Sequence, residues 1–105
     1  MLEILKKKQR IADSYFADND FIAFGAMKAF KEMGYRIPED VAIIGFDDVP
    51  IARFTDPALT TMHVPIQYMG RLAVERLHQI NEDPIENEYP QNIMVNAGLV
   101  LRQSG

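Results

Sequence analysis

The sequence predicts an α/β fold in which helices flank a parallel sheet, and three segments carry that prediction. Residues 41–46 (Val-Ala-Ile-Ile-Gly-Phe) are a nearly continuous apolar run, as expected of a strand covered on both faces. A shorter apolar run with strand character, residues 13–17, lies upstream, and the helix-sized segment 21–33 separates the two. Strand, helix, strand with a right-handed crossover brings both strand ends to one edge of the sheet. Each end is polar: Asp18-Asn19-Asp20 after the first strand and Asp47-Asp48 after the second. Open α/β sheets bind ligands at that edge, so Asn19 and Asp47 are expected to face one pocket.

A length of 105 residues suits one small domain, and 48% hydrophobic residues suffice for a core. The chain has no cysteine, which excludes disulfides and thiolate metal sites and is compatible with a reducing cytoplasm. A net charge of −4, with no basic cluster beyond Lys6-Lys7-Lys8 and Arg10, argues against phosphate-backbone binding by this segment. No apolar run approaches the roughly 18 residues of a membrane span, and the N-terminus lacks a signal-peptide core, so a soluble chain with no membrane partner is expected.

The elements follow in order. Residues 2–9 read as the end of a helix, with the lysines at its negative pole. In the helix at 21–33, Asp20 is the expected N-cap and Gly34 the C-terminal stop. Ile22, Ala26, Ala29 and Met33 form the stripe expected to pack on the sheet. Phe24 and Met27 then fall beside Lys28 and Lys31, on the face expected to meet solvent, and mark a partner surface. Residues 35–40 make a tight connection to the second strand, and Gly45 allows close backbone approach near that strand's end. Residues 49–57 read as a loop whose Ile51 and Phe54 are expected to pack across the helix face bearing Phe24. Residues 59–64 are extended and β-branched, and Pro65 ends them. The amphipathic helix 66–80 should bury Ile66, Met69, Ala73, Leu77 and Ile80. An acidic loop then leads to strand candidates at 92–95 and 99–102. No internal repeat is visible.

The order Ala17-Asp-Asn-Asp20, Gly25-Ala-Met-Lys-Ala29, Gly34, Ile37-Pro-Glu-Asp-Val41, Gly45-Phe-Asp-Asp48, Pro57-Ala-Leu-Thr-Thr61, Gly70 and Leu101-Arg102 resembles the effector-binding core of LacI/GalR-type bacterial transcriptional regulators. The resemblance runs from about residue 12 to 102. It implies part of a two-lobed, type I periplasmic-binding-protein-like fold, in a cytoplasmic, homodimeric regulator that reaches operator DNA through an N-terminal helix-turn-helix not found in this chain. Residues 1–62 would belong to the C-terminal lobe, 63–95 to the N-terminal lobe, and 96–105 to the C-terminal lobe again. The family is about three times this length, which makes the chain look like a fragment.

The chemistry of a sugar or related polyol effector agrees with the resemblance. Several hydroxyls and no strong charge call for directional donors and acceptors: Asn supplies both, and a carboxylate accepts from adjacent hydroxyls. Asn19 and Asp47 match effector-contacting positions of the family, as do Val64, Ile66 and Met69, for which ordinary packing at a helix start is the competing reading. The resemblance also places Phe24, Met27, Ile51 and Phe54 at a dimer interface. Asp48 reads as a turn acceptor.

Catalysis has no support, because neither a nucleophile elbow nor a Gly-rich phosphate loop occurs. A Mg²⁺-dependent receiver domain would need a lysine after Asp47, and none follows. His63 and His78 lack metal-ligand spacing, so no metal and no cofactor are expected. A periplasmic sugar receptor feeding a transporter is the alternative of a different class, and a free-standing interaction module a third.

Overall fold

The computed structural model describes residues 10–105, so the expected helix end at residues 2–9 lies outside the described residues. The chain divides into two compact units: one holds the chain up to Val64 together with Gly98–Gly105, the other Pro65–Ala97.

In the first unit, β1 (Ser14–Phe16) and β2 (Ala42–Ile44) pair in parallel, with Tyr15 opposite Ile43. Helix α1 (Asp20–Glu32) is the crossover between them. The predicted α/β unit is therefore present. Beyond β2, isolated parallel bridges join Ile44 to Thr60 and Asp47 to His63. The second bridge leads into β3 (Thr61–His63), which pairs antiparallel with β4 (Gly98–Val100). The tail then lies along β2: Ser104 Oγ donates to Ile43 O (2.7 Å) and accepts from Thr60 N (2.8 Å).

Helix α1 differs from expectation at its start and along its buried face. Its N-cap is Asn19, whose Oδ1 accepts from Ile22 N (2.9 Å); Asp20 is already helical and fully buried. The buried apolar residues are Ala23, Ala26, Met27, Ala29 and Phe30, so Ala26 and Ala29 of the expected stripe are inside whereas Ile22 and Met33 are exposed. The expected stripe was thus rotated by about one residue. Phe30 and Met27 carry the volume that fills the space over Val41, Ile43 and Leu59, so the helix turns them inward and leaves Ile22 to solvent. Met27, expected on the solvent face, is only 4% exposed.

The end of α1 follows expectation. Gly34 adopts φ +84°, Gly34 N donates to Lys31 O (3.0 Å), and Tyr35 N donates to Phe30 O (2.9 Å). The Tyr35 ring packs edge-on against Phe30 at 5.7 Å, the apolar contact that accompanies this left-handed stop. Arg36 then grips Asp40 through two side-chain bonds of 3.1 Å, closing the connection that leads into β2.

Within residues 49–57 a short 3-10 turn forms at Pro50–Arg53. Ala52 is buried, but Ile51 and Phe54 are 54% and 78% exposed and do not bury themselves against α1.

The second unit holds α2 (Ile66–Glu82) and the short α3 (Pro84–Glu88). Arg76 ties them together: its guanidinium pairs with the Glu86 carboxylate and donates to Glu86 O (3.0 Å) and Tyr89 O (3.2 Å). The expected burial of Ile66, Met69, Ala73, Leu77 and Ile80 is not seen, since α2 has no buried residue. An apolar helical stripe needs a second layer to cover it, and this unit supplies only α3 and the segment after it. Residues 92–95 form no strand; Ile93 and Val95 instead line a hollow of about 200 Å³ beside Met69, Leu72 and Arg76.

Candidate functional site

The C-terminal edge of β1 and β2 gathers the polar residues singled out in the sequence. Beyond the strands the two chains stay together, with Ala17 N donating to Ile44 O (2.8 Å) and Asp20 N to Phe46 O (3.0 Å). Asn19 and Asp47 thus flank one backbone hydrogen bond. Capping occupies Asn19 Oδ1, and no described residue accepts from its Nδ2, which keeps two donors available.

The acids at this edge divide by role. Asp20 is buried and both its oxygens are used: Oδ1 accepts from Thr61 Oγ1 (2.6 Å) and Oδ2 from Val49 N (2.8 Å). It links the start of α1 to β3 and to the loop after Asp48. Asp48 is equally engaged, with Oδ1 accepting from Arg102 Nη2 (2.8 Å) and Oδ2 from His63 Nδ1 (2.9 Å). Asp47 alone of the three has a carboxylate to which no described residue donates. Its backbone is anchored, since Asp47 N donates to Met62 O (3.0 Å) and Asp47 O accepts from Val64 N (3.4 Å). Asp47 and Asp48 have φ of +119° and +60°, a left-handed region that L-residues other than Asn and Asp rarely enter.

Of the other expected effector contacts, Val64 lies next to Asp47 through that bond and is half-buried. Ile66 and Met69 belong to the second unit, where both are exposed on the first turn of α2. Sequence reasoning missed the parts played by Arg102 and His63. In the sequence Arg102 belongs only to a family motif and His63 only lacks metal-ligand spacing; no local pattern links either to Asp48, which lies 54 and 15 residues away, respectively.

Burial pushes the Asp48 carboxyl up, but the hydrogen bonds and charges of Arg102 and His63 outweigh it and hold the pKa below the ordinary 3.8. Because the folded value lies below the unfolded one, ionised Asp48 adds stability above pH 3.8 and loses it as the pH falls through the folded value. The protein is therefore expected to exceed Asp48→Asn in stability at neutral pH, with the gap closing in acid. Urea denaturation of both proteins across that range measures it; a gap independent of pH would contradict the pairing.

Residues 3–105 match the family model described as periplasmic binding protein-like domain. The chain belongs to this family. Its relatives are regulators of the LacI/GalR type, as the sequence motifs implied. The chain is 40% identical over 104 residues to the HTH-type transcriptional repressor PurR of Edwardsiella ictaluri, covering 99% of this chain and 30% of that protein. Among solved structures, the lac repressor dimer bound to operator and the anti-inducer ONPF superposes with a TM-score of 0.88 at 27% identity, covering 98% of this chain and 35% of that one. A LacI family regulator from Arthrobacter sp. FB24 in complex with lactose gives a TM-score of 0.78 at 30% identity, covering 98% of this chain and 38% of that one. The chain spans about a third of the length of these relatives. No helix among the described residues is long and apolar enough to cross a membrane.

Proposed function

We propose that this chain is the effector-binding and dimerisation portion of a bacterial, sugar- or nucleoside-responsive transcriptional regulator. The observation that carries the reading is the unengaged Asp47 carboxylate, held on left-handed backbone at the strand edge beside the free amide donors of Asn19. A donor amide and an acceptor carboxylate at one edge match adjacent hydroxyls of a neutral polyol. Relatives that are transcriptional regulators, one of them in complex with lactose, support this reading over a transport receptor. In it, residues 1–62 and 96–105 serve the C-terminal lobe and residues 63–95 the N-terminal lobe, with Val64, Ile66 and Met69 as the apolar candidates for effector contact. The division of the chain after Val64 and before Gly98 supports that assignment. Operator binding falls to a helix-turn-helix outside these residues, in keeping with the net charge of −4.

Losing a hydrogen bond to a charged acceptor in a desolvated site costs roughly 1.5–3 kcal/mol, so Asp47→Ala should weaken effector binding about ten- to a hundredfold. Calorimetric screening of sugars and nucleosides against the intact regulator, repeated on the variant with whichever compound binds, is the test. Unchanged affinity would remove Asp47 from the site.

A further inference from the structure

We infer that Arg102 and His63 are positioning residues: acting through Asp48, they hold the backbone at Asp47 and Asp48 in its left-handed conformation and so aim the Asp47 carboxylate. The inference rests on the effector reading for what that carboxylate binds. Two consecutive non-glycine residues at positive φ form a sparsely populated arrangement that persists only where its surroundings over-determine it. Here the surroundings are specific. Asp48 is nearly buried, its side chain 9% exposed, and each of its oxygens already accepts a bond from within the protein. Arg102 is anchored on two elements: Nη2 reaches Asp48 while Nη1 donates to Leu59 O (2.9 Å) and its backbone N to Thr60 Oγ1 (2.8 Å). His63 lies opposite Asp47, whose backbone bonds its two neighbours Met62 and Val64, and its ring bonds Asp48. The strand before Val64 and the tail after β4 are thereby clamped to a single turn.

A planar fork is needed to serve Leu59 O and Asp48 Oδ1 together, and a lysine ammonium cannot reproduce it. In Arg102→Lys of the intact protein, hydrogen exchange should therefore quicken about tenfold or more at the amides of Asp47 and Val64, the scale of one lost charged hydrogen bond. The amides of Ala17 and Ala42, which bond Ile44 O and Asp13 O between β1 and β2, should keep their parent rates. Should Arg102→Lys lose its fold, His63→Gln carries the same test, because its ring is more than half exposed. Equal acceleration at all four amides would make the cluster a general stabiliser, and no acceleration at Asp47 and Val64 would make it idle; either overturns the inference. Asp47→Asn, which removes the charge but tolerates the same positive φ, should leave the exchange pattern of Val64 unchanged. Calorimetry on Asp47→Asn beside Asp47→Ala decides the effector reading without disturbing that backbone, so each can fail without the other.

Discussion

Gly45→Ala is expected to destabilise the protein by more than about 3 kcal/mol, the largest single-site effect anticipated here. A Cβ at Gly45 would run into Asp20 Oδ1 and would meet Leu59 Cδ2 at 2.9 Å. Neither neighbour can retreat cheaply. Leu59 is fully buried, and the same Asp20 oxygen accepts the 2.6 Å bond from Thr61, so moving it strands a buried hydroxyl as well as overpacking the core. The backbone of Gly45 is itself fixed, its N–H bonded to Thr60 O at 2.9 Å. Gly25→Ala is the matching control: it sits inside α1 with nothing within 4 Å of the new methyl, and should be neutral or stabilising by roughly 0.5–1 kcal/mol. Urea unfolding of the two variants separates steric conflict from helix propensity. Equal, small effects would mean that the strand end yields, and the close approach of Asp20 to Gly45 would lose its structural weight.

Replacing Ile51 and Phe54 with lysine together is expected to raise the dimer dissociation constant by two or more orders of magnitude, since an aromatic or large aliphatic anchor at an interface centre is worth about 2 kcal/mol or more. Phe54 is the more exposed of the two, and both stand on the 3-10 turn and its cap, where a lysine finds solvent in the free protomer. Alongside lies an open hollow of about 330 Å³ with Phe24 and Met27 in its lining, Lys28 and Lys31 on the same helix, and Thr55 and Asp56, which follow Phe54, as the other wall. Met27 is buried at 4% exposure, and Phe24 is half-packed on the core. In an isologous dimer the same patch meets itself about a two-fold axis, so the exposed ring of Phe54 would face the corresponding patch of the second copy. The lac repressor dimer among the structural neighbours is consistent with such an assembly. Sedimentation of the intact protein and the double variant decides the matter; an unchanged dimer with folded protomers would place the interface elsewhere.

The types of β1, α1 and β2 and the location of the polar edge were legible in the chain, whereas residues 92–95 form no strand and a helix at Pro84–Glu88 replaces part of the expected loop. Apolar character from Val41 to Phe46 announced the strand, although only alternate residues Val41, Ile43 and Gly45 are buried; Gly34 announced the end of α1, and adjacency of polar residues to strand ends placed Asn19 and Asp47 at one edge. These are local properties: each depends on which side chains follow one another, and backbone geometry converts that order directly into structure.

What only the tertiary structure decided concerns direction and partnership. Whether α1 turns Ile22 or Met27 inward depends on the volume waiting over Val41, Ile43 and Leu59, which lie far along the chain. Whether Asp20 caps a helix or ties two elements together depends on Thr61 and Val49 arriving at its oxygens. Of three acids that look alike in sequence, Asp47 is left available because Arg102 and His63 reach Asp48 instead, and because bonds to Met62 and Val64 hold its own backbone. The stripe on α2 shows the same limit from the other side, since periodicity announces an apolar face but only a second layer can bury it. Side-chain pattern sets what each segment can do, and long-range packing and hydrogen bonding select which of those options the folded chain uses.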